Sequence, residues 1–475
     1  MIKDRKGLKR VNASTILKTI EKGEPVVYDL YIIEGNLDIS KSDLTTERNE
    51  MISLTDRGNI IDQDLRSELE EDYVFAQKLK LVKSSIQITN SVIEDPIDFK
   101  YAKFEKEVFF GDCIFESDIN FFGCNFNNIS FHNSALMLSD FTFCLCFGEL
   151  NFEMSILNAE SSFRWCAFLG QSNFNKTKFK DVTDFTGAYL RDINFSEASF
   201  RDAHFFNASF NHITTFGHPN LTDKSAEFFG SANFKEARFC DDLIFNGVYF
   251  HDLANFNNSK FKGLSNFGTI IFKKEADFSD AKFENNADFS NSRFEDAVSF
   301  KGSKFNSNVS FRSVKFFKNA VFSKTTFLGD SSFDGDGKNY LAYIYINILS
   351  LVQPSAMTAK SIEQLRAIWD HRTMFEGPAY FSDSVFNETN FSKTQFKKLS
   401  TLPNAKFLKG FSFKNTIFKD PFSEELASRK SKKESELQGD KDEADRYYFR
   451  EMTAKRKQKR FYFRYPEFLV FQWIF

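Results

Sequence analysis

The sequence lacks the apolar leader of a secreted protein. Its first 25 residues, MIKDRKGLKRVNASTILKTIEKGEP, contain no uninterrupted apolar core of the roughly 7–15 residues that a signal peptide requires. We therefore expect the protein to reside in the cytoplasm. The sequence also lacks a Gly-rich phosphate-binding loop, an HExxH motif and a nucleophile elbow, so it predicts neither an enzyme nor a bound cofactor.

Cysteine is scarce, and its spacing excludes the common zinc motifs. Cys144 and Cys146 are separated by one residue, which is tighter than the usual two-residue gap, and disulfides are not expected in a long cytosolic chain. Cys113, Cys124 and Cys166 each stand two residues before a Phe, and we interpret them as core residues. The six cysteines are Cys113, Cys124, Cys144, Cys146, Cys166 and Cys240.

An excess of charge of either sign is also absent. The formal net charge is −3, which gives no electrostatic reason to expect nucleic-acid binding. His204, His212 and His218 lie in one stretch, but their spacing is typical of no metal motif, so no metal site is predicted. The acidic pair Asp241–Asp242 is interpreted as corner residues rather than as a catalytic pair.

Phenylalanine, in contrast, is abundant. The chain has 63 Phe against 14 Tyr, 3 Trp and only 8 Pro. One aromatic type enriched in this way indicates a repeated structural slot that prefers one shape. From residue 234 onward two interleaved series repeat every eleven residues, with alternating steps of five and six. The predicted Phe ladder consists of Phe234, Phe239, Phe245, Phe250, Phe256, Phe261, Phe267, Phe272, Phe278, Phe283, Phe289, Phe294, Phe300, Phe305, Phe311, Phe316, Phe322, Phe327 and Phe333.

The repeat does not suit an α-helix. At about 100° per residue, steps of five and six place the two Phe series about 140° apart, which is not one stripe. The Asn, Ser, Asp, Thr and Gly residues between them are poor helix formers. A small or modest aliphatic residue stands two positions before each Phe, such as Ala276 before Phe278, and both point the same way on an extended segment. We infer a solenoid of short extended faces joined by polar corners, with Phe rings stacked inside.

The repeat unit resembles that of the pentapeptide-repeat family. The stretch EASFRDAHFFNASF, Glu197 to Phe210, is close to the family pattern of a central Leu or Phe with a small residue two positions before it. The resemblance covers roughly residues 86–333 and 375–418. It implies an all-β solenoid, a right-handed quadrilateral β-helix with four faces per coil. The sixth residue in every second step departs from the family pattern and predicts about 22 residues per coil, with two corners loosened.

The remaining segments predict helical additions to this β-helix. Between two opening coils, the apolar residues have helical spacing: Leu65, Leu69, Tyr73, Phe75 and Leu79. The 334–374 segment is interpreted as a helical insert packed on the solenoid or, alternatively, as a partner-binding or membrane-surface element. The predicted domains are an N-terminal helical cap at 1–25, first β-helix coils at 26–98 with a helical insertion at about 41–84, the main β-helix at 99–333, a mostly helical insert at 334–374, last coils at 375–422, and a charged helical hairpin with a basic-aromatic tail at 423–475.

The hairpin prediction follows from local signals. Ser423 is the predicted N-cap of the first helix, the QGD sequence ends it, and Asp440 with Glu443 has capping-box spacing for the second. The stretch GDKDEADRYYFREMTAKRK resembles the segment that links the β-helix to a membrane-embedded C-terminal region in some microbial pentapeptide-repeat proteins.

The tail combines basic and aromatic residues, as cytoplasmic membrane approaches do. Its apolar end, 468–475, is too short to span a bilayer. The chain stops in mid-pattern, so it is either truncated before a membrane region or ends in an interfacial anchor; alternatively, the tail caps the rod, packs on the hairpin or forms an oligomer contact. The predicted membrane-contact residues are Lys455, Arg456, Lys457, Lys459, Arg460, Arg464, Phe468, Leu469, Val470, Phe471 and Trp473.

Two functions follow from these readings. The first is a non-catalytic scaffold for an unidentified protein partner, tethered to the inner face of the cell membrane through the tail. The second is a soluble DNA mimic that binds a DNA-processing enzyme, as some relatives bind DNA gyrase. Mimicry needs a strongly acidic rod, whereas residues 99–333 carry a net charge of only about −4 and include basic positions such as Lys315 and Lys318.

Overall fold

The computed structural model describes residues 5, 7–48, 78–217, 225–334, 372–402 and 404–464. The chain forms two compact units, Met1–Asn255 with Ser259–Gly263 and Phe256–Asn258 with Leu264–Phe475. In each unit, short strands pair in parallel with strands one coil away, 22 residues apart in pairs such as Ile86 with Val108 and Ile271 with Arg293. The predicted all-β solenoid is therefore confirmed.

Each coil has four faces, which we number in order along the chain. In one coil of the second unit, face 1 is Lys282–Phe283, face 2 is Ala287–Asp288, face 3 is Arg293–Phe294 and face 4 is Val298–Ser299. The inward residue at the start of face 2 or face 4 is small or aliphatic, and the ladder phenylalanine follows two positions later. The faces are this short because the chain turns a corner after every Phe.

The strands of the first unit are distributed over the four faces as follows. Face 1 contains Lys78–Val82, Ala102–Phe104, Asn125–Phe126, Leu145–Cys146, Ser209–Phe210, Arg238–Phe239 and Lys260–Phe261; face 2 contains Val26–Asp29, Ile86–Thr89, Val108–Gly111, Ile129–Ser130, Leu150–Asn151, Thr214–Thr215 and Leu243–Ile244; Ala167–Asn173 and Tyr189–Asn194 run through both. Face 3 contains Lys9–Asn12, Tyr31–Glu34, Val92–Ile93, Ile114–Phe115, Ala135–Leu136, Ile156–Leu157, Glu227–Phe228 and Tyr249–Phe250; face 4 contains Leu37–Asp38, Ile97–Asp98, Ile119–Asn120, Ser139–Asp140, Ser161–Ser162, Ala232–Asn233 and Ala254–Asn255; Lys178–Asp184 and Ser199–His204 run through both.

The second unit repeats this arrangement with fewer coils. Face 1 contains Lys282–Phe283, Lys304–Phe305 and Thr326–Phe327; face 2 contains Ser265–Asn266, Ala287–Asp288, Val309–Ser310 and Ser331–Ser332; Val385–Asn390 and Lys406–Ser412 run through both. Face 3 contains Ile271–Phe272, Arg293–Phe294, Lys315–Phe316, Met374–Phe375, Gln395–Phe396 and Ile417–Phe418; face 4 contains Ala276–Asp277, Val298–Ser299, Ala320–Val321, Ala379–Tyr380 and Ser400–Thr401.

The Phe ladder fills the interior of both units. Its 19 phenylalanines, from Phe234 to Phe333, are each at most 1% exposed. Rings one coil apart stack: the centroids of Phe278 and Phe300 are 5.0 Å apart and their planes differ by 9°. Rings from opposite faces meet edge to face, as Phe289 and Phe300 do at 5.4 Å and 86°. Both geometries are favourable for aromatic pairs, so one ring per face fills a narrow core.

Hydroxyl side chains also occupy the inward position two residues before a ladder Phe. Ser292 Oγ donates to the carbonyl oxygen of Phe267 at 2.6 Å, and Thr325 Oγ1 donates to that of Phe300 at 2.7 Å; both acceptors lie 25 residues earlier in the chain. Each bond pairs a buried hydroxyl with a backbone group of the preceding coil. Ser292 and Thr325 therefore occupy this position without leaving a buried polar atom unpaired, whereas the hydroxyls of Ser172 and Thr183, two residues before Phe174 and Phe185, have no hydrogen-bond partner among the described residues.

The corners after five-residue and six-residue steps differ. In the five-residue step after Phe278, the amide of Ala281 donates to the carbonyl oxygen of Phe278 at 3.1 Å, and Asp280 has a left-handed backbone with φ of 58°. In the next, six-residue step, Asn285 Oδ1 instead accepts the amide of Asn286 at 2.8 Å, and the backbone stays out of the left-handed region. The sixth residue thus replaces a tight turn that requires positive φ.

One left-handed corner in the first unit carries a close contact that can be tested. Gly187 has φ of +66°, and a Cβ added there would lie 1.8 Å from Cζ3 of Trp165. We expect Gly187→Ala to lower the free energy of unfolding by roughly 2–4 kcal/mol, because it adds overlap to an unfavourable backbone conformation. Thermal or urea unfolding measures the loss.

The double variant Gly187→Ala/Trp165→Ala separates the two causes. Removing the indole relieves the overlap and leaves the backbone cost, so the double variant should lose less than the sum of the single variants. Additive losses would show that the two positions are not in contact.

The N-terminal region contains a helix, α1 (Ala13–Glu21), within the predicted cap. Asn12 caps it, since its Oδ1 accepts the amide of Ser14 at 2.9 Å. Ile16 and Ile20 are each 1% exposed, so α1 buries one apolar side. The short 3-10 helix Ile39–Lys41 follows the first coil.

The edges of the predicted 41–84 helical insertion are strands, which corrects that prediction. Thr46–Arg48 pairs antiparallel with Lys78–Val82, and Lys78–Val82 also pairs in parallel with Ala102–Phe104. Leu79, counted in the helical spacing, is 1% exposed on this strand. Lysine and leucine alternate along residues 78–81, which is typical of a strand with one buried and one more exposed side, and this period of two prevails over the helical spacing. The rest of the predicted insertion, 49–77, and residues 335–371 of the predicted 334–374 insert lie outside the described residues.

Two helices follow the last coil, α2 (Pro421–Gln438) and α3 (Lys441–Arg464). Gly439 ends α2 with φ of 78°, in agreement with the break predicted at QGD. The N-cap of α2 is Asp420, not the predicted Ser423: Asp420 Oδ2 accepts the amide of Ser423 at 2.7 Å. Asp440 Oδ1 accepts the amide of Glu443 at 3.0 Å, which forms one half of the predicted capping box.

Candidate functional site

The C-terminal hairpin closes the last coil of the second unit. Ser423 Oγ accepts the amide of Ser400 at 2.8 Å, as the next rung of face 4 would, and it lies 2.7 Å from Asp420 Oδ2 and 3.2 Å from the carbonyl oxygen of Ser400. Lys430 Nζ lies 3.4 Å and 3.3 Å from the carbonyl oxygens of Leu402 and Ala405, and its burial lowers its pKa. Arg450 of α3 donates to the carbonyl oxygen of Thr416 at 2.8 Å. These bonds pair backbone groups that an open solenoid end would leave exposed.

The helices of the hairpin are antiparallel and tightly packed. The buried side of α2 consists of small residues, and Ala427 is 1% exposed. Glu451 of α3 accepts from Lys455 at 2.7 Å and from Arg429 of α2 at 3.3 Å. Burial raises the pKa of Glu451, but these two hydrogen bonds lower it further, and the net shift is downward. Gln458 Nε2 donates to the carbonyl oxygen of Pro421 at 3.0 Å, so the start of α2 is tied to the second half of α3.

The predicted membrane-contact residues fall into two groups in the structure. Lys455 and Lys457 lie on α3 but form ion pairs inside the hairpin, with Glu451 at 2.7 Å and Glu424 at 3.0 Å, whereas Arg456 is exposed. The side chains of the remaining predicted residues lie outside the described part of the structure: Lys459, Arg460, Arg464, Phe468, Leu469, Val470, Phe471 and Trp473.

The hairpin also exposes apolar residues that the sequence analysis did not single out. Phe449 and Tyr448 on α3 are 69% and 48% exposed, and Leu437 at the end of α2 is 76% exposed. The buried residues Ala444, Tyr447, Glu451, Ala454 and Gln458 recur at intervals of three and four along α3. That periodicity could have placed Tyr448 and Phe449 on the outer side of the helix from sequence.

The histidines, the acidic pair and the basic patch named from the sequence have the following contacts. His212 Nδ1 lies 3.5 Å from Asp192 Oδ1, and Asp241 Oδ1 accepts the amide of Asp242 at a corner; His218 lies outside the described residues. Lys315, counted as part of a basic patch, is only 5% exposed, and its Nζ donates to the carbonyl oxygen of Arg372 at 3.1 Å.

Within the described residues, no group of three or more His, Cys, Asp or Glu side chains is arranged to hold a metal ion. Across the same stretches, no helix combines the length and the apolarity needed to cross a bilayer.

The cysteines give a direct test of the core assignment. Five of the six are buried, and Cys240 is half-buried. Burial raises the pKa of Cys113 and of Cys146 to about 12, and the Sγ of Cys124 donates to the carbonyl oxygen of Phe99 at 2.9 Å. We expect a disulfide reagent to modify at most Cys240 quickly in the native protein, because only the thiolate attacks. Fast native reaction of two or more thiols, against the total measured in denaturant, would contradict this packing.

Comparison with known proteins agrees with the geometry. Two family models, both described as pentapeptide repeats, match the sequence, one at residues 256–303 and 291–335 and the other at residues 183–213. No curated protein and no solved structure matches the chain. The matched residues lie in the Phe-lined, four-faced coils described above. The chain is a pentapeptide-repeat protein.

Proposed function

We propose that this chain is a non-catalytic scaffold in the cytoplasm, tethered at the inner face of the cell membrane by its C-terminal hairpin and tail. Its solenoid faces would present a rigid surface to a protein partner. The observation that carries the proposal is the docking of the hairpin on the last coil. Because Ser423, Lys430 and Arg450 all bond to that coil, a membrane contact made by the tail would position the solenoid as well.

The composition of α3 supports a contact with an anionic surface. Arg456 is exposed next to the basic residues that begin the tail, and Phe449 and Tyr448 add exposed aromatic area on the same helix. Aromatic side chains favour the interfacial region of a bilayer, and each basic residue near an anionic leaflet contributes about 1 kcal/mol. Because Lys455 and Lys457 form ion pairs within the hairpin, the electrostatic attraction to an anionic membrane would come from Arg456 and from the basic residues of the tail.

Liposome flotation of the full chain tests the tether. We expect flotation with anionic vesicles, weaker flotation with neutral ones, and a decrease as salt is raised. A chain ending at Gln458, which keeps the bond to Pro421, should remain in the soluble fraction.

A charge-reversed full chain, Arg456→Glu/Lys459→Glu/Arg460→Glu, should also fail to float. Lys433→Glu changes an exposed lysine of α2 away from the tail and should float as the unmodified chain does. Absence of flotation, or flotation unaffected by salt, truncation and charge reversal, would rule out this tether.

A further inference from the structure

A groove runs along face 2 of the second unit, across successive coils. It has a volume of about 580 Å³, within the range of ligand sites in proteins. Its lining combines the apolar Leu264, Ala287 and Val309 with carboxamide, hydroxyl and carboxylate side chains on successive coils.

The carboxamides of the groove have a fixed orientation. Asn286 Oδ1 accepts the amide of Asn308 at 3.1 Å, and Asn308 Oδ1 accepts the amide of Asp330 at 2.9 Å. Asn390 Oδ1 likewise accepts the amide of Ser392 at 2.9 Å. With each oxygen bonded to the backbone, the Nδ2 group of each side chain is left as a donor with no partner among the described residues. Asn286 and Asn308 occupy equivalent positions of neighbouring coils, so two of these donors lie one coil, about 4.8 Å, apart, and Asn390 adds a third donor on a later coil.

Carboxylates accompany the carboxamides. Asp288, Asp330 and Glu388 are exposed; Asp288 Oδ1 accepts the amide of Ser290 at 2.8 Å and Asp330 Oδ1 accepts from Asn387 Nδ2 at 3.2 Å, so the other oxygen of each aspartate is open to a ligand. The basic residue in the lining, Arg312, lies 3.0 Å from Asp334. Three carboxylates against one guanidinium give the lining a net charge of −2.

We infer that this groove binds an extended, lysine- or arginine-bearing peptide segment of a protein partner. Outward NH₂ groups can donate to the main-chain carbonyls of an extended peptide, and the carboxylates can pair with its basic side chains. An uncharged oligosaccharide would fit the donors equally well but would not use the net negative charge. Charge complementarity steers association and selects partners, so it favours the basic peptide. The inference rests on the scaffold role proposed above and names the chemistry of its partner.

Fluorescence anisotropy with the full chain tests the groove. The probes are a labelled short peptide of alternating lysine and threonine and its counterpart with glutamate in place of lysine. We expect salt-sensitive binding of the lysine peptide alone. Asp288→Asn/Glu388→Gln should weaken it about tenfold, since Asn at 288 can still accept the amide of Ser290.

A matched variant removes two carboxylates elsewhere in the same unit. In Asp277→Asn/Asp296→Asn both residues also accept backbone amides, from Ser279 and from Ala297, but neither lines the groove. This variant should bind the lysine peptide as the unmodified chain does.

Three outcomes would overturn the inference: no binding of the lysine peptide, an equal loss in both variants, or groove-dependent binding of an uncharged oligosaccharide instead. Flotation measures membrane binding only. If the chain floats but does not bind the lysine peptide, the inference about the groove is wrong and the proposed membrane tether is unaffected.

Discussion

Replacing Phe300 with alanine should lower the local free energy of unfolding by about 3–5 kcal/mol. The ring is 0% exposed and stacks between Phe278 at 5.0 Å and Phe322 at 5.1 Å. It also meets Phe289 and Phe311 edge to face, each at 5.4 Å. Alanine would leave a cavity that the neighbours cannot fill, because the backbone of each coil is fixed by the coils on either side.

The effect should be local, because a solenoid is stabilised mainly by contacts between neighbouring coils. Native-state hydrogen exchange measures it residue by residue. The amides of Phe300 and Phe322, which donate to Val321 and Tyr380, should exchange faster, whereas amides several coils away should keep their protection.

Two further variants separate the causes. Phe300→Leu keeps much of the volume and loses the ring contacts, so its cost should be smaller than that of alanine. Lys301→Ala, at an exposed position of the same coil, should change stability by no more than about 0.5 kcal/mol. If Phe300→Ala cost no more than Lys301→Ala, the Phe ladder would not be the source of stability.

Much of the solenoid can be read from the sequence because its core is one residue wide. The position of Phe278 fixes which neighbour points inward, and Ala276, two residues before it, is an interior residue as predicted; both are 0% exposed. The register of the coils can also be predicted from the sequence, because a shift of one residue would turn a buried Phe toward solvent.

Other features depend on contacts between distant residues. Ser423 has the residue type of an N-cap, yet its hydroxyl bonds to Ser400, 23 residues earlier, and Asp420 caps α2 instead. Lys78–Val82 pairs with strands on both sides, which its helical spacing does not reveal. The groove was missed for the same reason: Asn286, Asn308 and Asp330 look like ordinary corner residues until the coils are stacked.

Removing the hairpin should convert the protein into a species that self-associates. A chain ending at Lys419 would expose the backbone of the last coil, including the amide of Ser400 that now donates to Ser423. It would also uncover Phe418, which is 7% exposed in the full chain. Unpaired strand edges recruit other edges, and repeat proteins need polar terminal caps to stay soluble. Sedimentation velocity should show larger species that increase with concentration.

A point variant tests the same role with the chain intact. Ala427→Glu places a carboxylate at a position that is 1% exposed on the small-residue side of α2, so it should detach the hairpin and reproduce the association. Leu437→Glu introduces the same charge at a position that is 76% exposed on the same helix and should leave sedimentation unchanged. If the chain ending at Lys419 sediments and melts as the full chain does, the hairpin is not a cap. Its contacts with Ser400 and Thr416 would then serve to orient the tail alone.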